Sequence, residues 1–129
     1  MLGEVLLEPS VIYAPAVRHA VDAALGAVHA CAHVTGGGMP GNLARVLPAD
    51  LDAVIEPESW PVPPIFDEIA RVGGVAPDEM ARVFNRGVGM VLIVEAGHVD
   101  VVRDAVASHG VDSAVIGEIA PGSGSVVER

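Results

Sequence analysis

Apolar residues recur along this chain with two different spacings, one typical of strands and the other typical of helices. Residues 28–34 alternate with a period of two, which predicts a strand. One side of this strand carries four apolar residues, Val28, Ala30, Ala32 and Val34. The other side carries His29, Cys31 and His33. Residues 90–94, Met-Val-Leu-Ile-Val, are apolar throughout, which predicts a central strand buried on both faces.

Spacings of three and four residues predict the helices. These are residues 14–26, 42–47, 65–72, 78–83 and 99–109. The helix at 14–26 is expected to bury Val17, Ala20, Val21, Ala24 and Leu25. The helix at 65–72 is expected to bury Ile65, Phe66, Ile69 and Val72. Further strands are predicted at 51–55, 113–119 and 125–128. Residues 2–13 alternate only loosely and contain Pro9, so they predict an extended arm whose apolar residues need a partner surface.

This order of elements predicts an α+β fold, a layered α/β/α domain with a mixed sheet. The strand at 88–95, the following helix and the strand at 113–119 indicate half of a ferredoxin-like unit. A length of 129 residues suits one domain, 14–129, preceded by the arm at 1–13.

The net charge and the lengths of the apolar runs limit which classes of binding partner are expected. The net charge is −10, with seven arginines and no lysine, which disfavours nucleic acid as a partner. No apolar run approaches the roughly 18 residues of a membrane span, so no membrane partner is expected. A single cysteine excludes an intrachain disulfide and fits a reducing compartment.

The candidate chemistry lies in a glycine run between the first strand and the next helix. Gly36, Gly37 and Gly38 remove every side chain from this turn, so backbone amides can approach a bound group at the start of a helix. The spacing differs from the dinucleotide-binding and Walker A loops, and no lysine follows. A tight turn without a ligand remains the alternative.

Several motifs, taken in chain order, resemble one family. They resemble the C-terminal domain of phosphoribosylformylglycinamidine cyclo-ligases, also called aminoimidazole ribonucleotide synthetases. The matching motifs are Leu-Leu-x-Pro-Ser-x-Ile-Tyr at 6–13, His-Val-Thr-Gly-Gly-Gly at 33–38, Asn42 with Arg-Val-Leu-Pro at 45–48, Ser-Trp at 59–60, Glu-Met at 79–80, and Phe-Asn-x-Gly-Val-Gly-Met at 84–90. Two departures from the family pattern are Met-Pro-Gly at 39–41 and Arg86.

The resemblance implies an enzyme of de novo purine synthesis. Such enzymes use ATP to close formylglycinamidine ribonucleotide into aminoimidazole ribonucleotide, through phosphorylation of the formamide oxygen and attack by a nitrogen. They are cytoplasmic homodimers that need ATP and Mg²⁺, which an N-terminal domain mostly binds. By this resemblance, residues 1–13 lead from that missing ATP domain, and 14–129 form the substrate-side domain. Alone, this chain is expected to be inactive and to hold no cofactor.

The resemblance also suggests which residues meet the small-molecule ribonucleotide. The expected substrate- or phosphate-binding residues are Thr35, Gly36, Gly37, Gly38, Asn42, Arg45 and Asn85. No catalytic residue is assigned, and His33 beside the glycine run is the candidate. An ordinary packing role for His33 and a solvated surface position for Arg45 stay open.

The same sequence allows other interpretations, of a metal site and of the function. His29, Cys31 and His33 suggest zinc, but alternate positions along a strand spread over about 13 Å, so no metal site is predicted. His19, His98 and His109 are expected at the surface. The alternative functions are a domain of a related ATP-dependent synthetase, either formylglycinamide ribonucleotide amidotransferase or selenophosphate synthetase, and a non-catalytic binding module.

Overall fold

A computed structural model describes residues 2–129 of the chain. The helices are α1 Leu2–Leu6, α2 Ala14–Ala23, α3 Gly38–Leu43, α4 Ile65–Gly73, α5 Pro77–Val83 and α6 Val99–Ala107. The strands are β1 Val28–His33, β2 Leu51–Ile55, β3 Met90–Val94, β4 Gly117–Pro121 and β5 Val126–Glu128. Short 3₁₀ helices occupy Ala44–Val46, Pro57–Ser59 and Ala96–His98. Within the described residues, no helix combines the length and the hydropathy needed to cross a bilayer.

The strands form two sheets, and the predicted α+β class is confirmed. β1 and β3 make an antiparallel ribbon, while β2 is flanked by antiparallel β4 and parallel β5 in a mixed sheet. The predicted ferredoxin-like half is wrong, because β3 and β4 lie in different sheets. A strand–helix–strand pattern in the sequence does not reveal which sheet the second strand joins.

The β1–β3 ribbon lies between two hydrophobic clusters. On β3, Val91 and Ile93 pack with the first cluster, and Leu92 and Val94 pack with the second. The first cluster is built on Ala32, Val34, Met39, Leu43, Ala53, Ile55, Trp60 and Val91. The second is built on Ala16, Ala20, Ala24, Ala27, Val102, Ala105 and Val106. Because side chains alternate along a strand, one short strand serves both clusters.

β3 differs from its prediction as a central strand. Within residues 2–129 its only neighbouring strand is β1, and Val91 is the only one of its five residues that is buried, while the other four are half-buried. The uninterrupted apolar run is nevertheless explained, because the side chains of β3 pack alternately with the two clusters. An apolar run in the sequence therefore indicates apolar surroundings on both sides of a strand. These surroundings do not have to come from neighbouring strands.

Burial alternates along β1 as predicted, with His29, Cys31 and His33 exposed, but the pairing of the strand is irregular at its start. The pairing register shifts between Val28 and Ala30, so Val28 lies opposite Val94 and packs with the second cluster. Ala32 and Val34 belong to the first cluster. A bulge adds one unpaired residue and so exchanges the two faces.

The apolar face of α2 is also shifted from its prediction. Ala16 and Ala20 are buried, whereas Val21 is exposed and Leu25, beyond the helix, is 91% exposed. Small side chains allow α2 to pack closely against α6, whose Ala105 belongs to the same cluster. Close helix packing thus favours alanine over the larger apolar residues in the helical pattern.

Several boundaries and faces differ in the remaining elements. Leu2–Leu6 is helical rather than extended, and the apolar side chains at 7 and 12 are exposed. Helix α3 begins at Gly38, the last residue of the glycine run, rather than at residue 42. Strand β4 begins at Gly117 rather than at residue 113. On α4, Val72 is 69% exposed rather than inward.

Asp52 on β2 holds the turn that leads into β5. Its Oδ1 accepts hydrogen bonds from the backbone amides of Ser123, at 2.7 Å, and Ser125, at 2.8 Å. These amide donors stabilise the carboxylate and hold the pKa of Asp52 below its ordinary value. One carboxylate therefore fixes β5 beside β2.

Replacing Leu43 tests the first cluster. Leu43 is 1% exposed, so we expect Leu43→Ala to lower the free energy of unfolding by about 2–5 kcal/mol through lost contacts and a cavity. The matched control, Val72→Ala, should change it by no more than about 0.5 kcal/mol. Urea denaturation measures both. Equal effects of the two substitutions would contradict this assignment of the core.

Asp52→Asn tests the amide-bound carboxylate. The folded pKa is lowered, so the charged group stabilises the protein above its unfolded pKa, and this contribution is lost as pH falls through the folded pKa. We expect the variant to be less stable than wild type at about pH 7, and the difference to shrink below about pH 4. Urea denaturation across pH measures it, with exposed Asp112→Asn as the charge control. A difference that does not depend on pH would count against the carboxylate.

Candidate functional site

The glycine loop joins the end of β1 to α3. The amide of Gly38 donates to the carbonyl of Thr35 at 3.2 Å, and that of Gly41 donates to Gly37 at 3.0 Å. Gly37 has φ +97° and Gly38 φ +59°, both in the left-handed region that favours glycine. Within residues 2–129 the amides of Gly36 and Gly37 donate to no backbone carbonyl. The loop therefore closes on itself and leaves two amides available.

Gly38 packs against the end of α5. A Cβ at this position would lie 2.3 Å from the carbonyl oxygen of Ala81 and 3.0 Å from that of Phe84. By contrast, a Cβ at Gly36 would meet no atom within 4 Å. Glycine is thus required at residue 38 for packing, while residue 36 borders open space.

Asn42 supports the loop from inside. It is 5% exposed, and its Nδ2 donates to the carbonyl of Gly38 at 2.8 Å. The same nitrogen lies 3.3 Å from the carbonyl oxygens of Thr35 and Gly36. The sequence predicted a substrate contact, but the amide donor of this side chain is already used within the protein.

A second glycine segment, residues 85–89, lies beside the loop. The amide of Val34 donates to the carbonyl of Gly89 at 2.9 Å, which joins the two segments at one end of the ribbon. Asn85 Oδ1 accepts a hydrogen bond from the amide of Gly87 at 3.1 Å and so shapes its own turn. The structure thus brings the segment that contains Asn85 next to the glycine loop.

Tyr13 is a neighbour of this region that the sequence did not single out. Its hydroxyl covers Gly89, where a Cβ would lie 2.2 Å from Oη. Its ring meets the imidazole of His33 edge-on, with the centroids 6.2 Å apart. Tyr13 is the chain's only tyrosine and ends the Leu-Leu-x-Pro-Ser-x-Ile-Tyr motif at 6–13, which marks this position in the sequence.

The two arginines that stand close to the glycine segments in sequence have different surroundings. Arg45 is exposed and forms no hydrogen bond or ion pair with any other described residue. Arg86 lies over the ring of Trp60, 5.8 Å from its centroid, and 3.6 Å from the carboxylate of Glu128. The Trp60 indole donates to the Arg86 carbonyl at 3.1 Å. Arg45 is therefore available for a ligand, whereas Arg86 is part of the scaffold.

Two glutamates, on α4 and α5, lie in exposed ion pairs. Glu68 accepts from Arg71 at 2.6 and 2.9 Å, and Glu79 accepts from Arg82 at 2.7 and 2.8 Å. Hydrogen bonds from these guanidinium groups lower the pKa of Glu68 and of Glu79. Both pairs are one helical turn apart, where such contacts add little stability.

Other concave or ligating features lie away from the loop. Two open depressions involve Glu56, Pro57, Glu58, Ser59 and Arg129, and Val5, Glu8, Pro63, Pro64, Ile65 and Glu68. Neither is lined by the glycine loop. Across residues 2–129, no group of three His, Cys, Asp or Glu side chains is arranged to hold a metal ion.

The described chain is thus an α+β domain whose two glycine segments meet at one end of an antiparallel ribbon. All of residues 1–129 match the family model described as AIR synthase related protein, C-terminal domain. The chain belongs to this family of AIR synthase related C-terminal domains.

Three relatives carry the same name, phosphoribosylformylglycinamidine cyclo-ligase. The proteins from Anaeromyxobacter sp. and Bacillus subtilis are 46% and 43% identical over 95% of this chain, which spans 35% of each relative. The protein from Thermosynechococcus vestitus is 37% identical over 98% of this chain and 37% of that relative. The chain therefore spans about a third of the length of these curated relatives.

Substitutions at two glycines test the division of roles in the loop. We expect Gly38→Ala to lower the free energy of unfolding by about 2–5 kcal/mol, because it adds left-handed strain and a clash with α5. Gly36→Ala should change it by no more than about 0.5 kcal/mol. Chemical denaturation compares the two variants. Similar losses in both would show that the whole loop is packed.

Proposed function

We propose that this chain forms the substrate side of an ATP-dependent cyclo-ligase of purine synthesis in the cytoplasm. The reaction is closure of formylglycinamidine ribonucleotide to aminoimidazole ribonucleotide. The observation that carries this proposal is the family match over residues 1–129, together with relatives of 37–46% identity that bear the cyclo-ligase name.

The glycine loop is proposed to bind the phosphate of the ribonucleotide. Two features support this role: the available amides of Gly36 and Gly37, and the open space beside residue 36. The exposed Thr35 hydroxyl and Arg45 guanidinium supply further donors. Because the chain carries a net charge of −10, an anionic substrate needs such concentrated local donors.

The remaining predicted residues act in supporting roles in this proposal. Gly38 and Asn42 hold the loop in shape through their contacts with α5 and the loop carbonyls. Asn85 orders the adjacent turn, and its amide nitrogen is the part left to meet the substrate. Substrate binding is therefore divided between groups that face solvent and groups that fix the backbone.

The proposed chemistry uses ATP to make the formamide oxygen a leaving group. Transfer of a phosphoryl group to that oxygen lets the attacking nitrogen close the ring and expel phosphate. His33 is exposed at the end of β1, beside the loop, and its imidazole is suited to accept the proton that this nitrogen loses. Tyr13 contacts the ring of His33 and limits its orientation.

ATP and Mg²⁺ are assigned to a separate ATP-binding domain. No three carboxylate or imidazole groups among residues 2–129 converge as metal ligands, so no step is assigned to a metal held by this chain. The working enzyme is proposed to combine this domain with an ATP-binding domain in a homodimer. The role of this chain is to bind and orient the ribonucleotide.

An amide NMR titration with ribose 5-phosphate tests the loop. We expect the Gly36 and Gly37 amides to shift selectively and to saturate, because they are available donors. Arg45→Gln should weaken the affinity about tenfold, the effect of losing one charge-assisted contact. Arg103→Gln removes an exposed charge on α6 and serves as the matched control.

Inorganic phosphate and chloride titrations complete the test. A stronger response to ribose 5-phosphate than to inorganic phosphate supports a nucleotide site, and a response to chloride would reveal a general salt effect. If the loop amides do not move at millimolar ligand, the loop is only a turn. Equal losses in Arg45→Gln and Arg103→Gln would remove Arg45 from the site.

A further inference from the structure

Two histidines from distant parts of the chain meet on the outside of the α2–α6 pair. His19 Nδ1, on α2, lies 3.2 Å from His109 Nε2, just beyond α6. Their rings are edge-to-face, with centroids 5.3 Å apart. Both side chains are exposed, and neither has a part in the proposed ring closure. The pair is therefore open to a ligand from solution.

We propose that His19 and His109 form a two-histidine site for a divalent transition-metal ion. Imidazole nitrogens bind such ions at about 2.0–2.1 Å, so two of them on one metal lie about 2.8–3.4 Å apart for angles between a right angle and the tetrahedral angle. The observed separation of 3.2 Å falls inside that interval. The separation of the two nitrogens therefore fits a single ion held by both, once the rings turn their nitrogens toward it.

The packing beneath the pair holds the two histidines in place. Ala20, next to His19, is fully buried, and Val106, three residues before His109, is 4% exposed. Both belong to the cluster that joins α2 to α6. Because the core fixes both backbones, binding has to order little more than two side chains.

Ser108 indicates which ring nitrogen of the pair carries a proton. Its hydroxyl donates to the carbonyl of Ala105 at 2.7 Å, and its oxygen lies 3.3 Å from His19 Nδ1. With that hydroxyl proton engaged, Ser108 Oγ is left as an acceptor, which favours the tautomer in which His19 Nδ1–H is the donor and His109 Nε2 the acceptor. Metal binding then moves the His19 proton to its other ring nitrogen and replaces the hydrogen bond.

The donor set determines which ions bind. Two neutral imidazoles favour copper(II), nickel(II) and zinc(II) over Mg²⁺, with copper(II) first in affinity. Because no third ligating side chain joins them in the described part of the chain, water completes the coordination. The affinity is therefore expected to be below that of a closed four-ligand zinc site. The net charge of −10 favours the approach of a cation.

Calorimetric titration of the whole chain with nickel(II), copper(II), zinc(II) and Mg²⁺ tests the site. We expect one transition-metal ion per chain, no response to Mg²⁺, and a rise in melting temperature with metal because the ion links α2 to the end of α6. His19→Gln and His109→Gln should each weaken binding at least tenfold and abolish the rise. Both residues are exposed, so circular dichroism should show folded variants.

His29→Gln is the matched control. His29 and His98 each lie 3.6 Å from the carboxylate of Glu95, so removing His29 tests whether metal binds at a histidine outside the proposed pair. Retained binding in His29→Gln, with loss in the other two variants, supports the proposal. Unchanged binding in His19→Gln, loss in His29→Gln, or no saturable binding by wild type overturns it. Ribose phosphate is absent from the assay, so the result is independent of the proposed function.

Discussion

The close approach of Gly38 to the last carbonyls of α5 determines the geometry of the glycine end of the molecule. No side chain fits between residue 38 and the carbonyl of Ala81. This contact sets where α3 begins, and α3 in turn places Met39 and Leu43 in the first cluster. The same approach brings the segment at 85–89 beside the loop, so packing and site geometry have one origin.

Local pattern was sufficient to predict most elements, but long-range pairing was not. Strand β2 and helices α4 and α5 follow directly from spacing, proline and glycine positions. The sheet that β4 joins, and the exchange of faces at Val28, depend on contacts far along the chain. Periodicity shows which face of an element is apolar. The strand with which it pairs depends on contacts across the whole fold.

The sequence was enough to predict which segments form the candidate site. It was not enough to predict what each residue of these segments contacts. Residues 35–38 and Asn85 do lie in adjacent segments, as the resemblance implied. Asn42 faces inward because its Nδ2 donates to the Gly38 carbonyl and lies 3.3 Å from two other loop carbonyl oxygens, which its helical position alone could not reveal. The contact between His19 and His109 joins residues 90 positions apart, so no local motif marks it. Tyr13 likewise reaches His33 only through the fold.

The alanine face of α2 has a consequence for how this domain can vary. Ala16, Ala20 and Ala24 are each no more than 2% exposed, so a larger side chain at any of them must push α2 away from α6. Val21 and Leu25 are apolar but exposed, and can be exchanged for polar residues at little cost. Divergent sequences of this fold should therefore keep small residues at the alanine positions and drift freely at the larger ones.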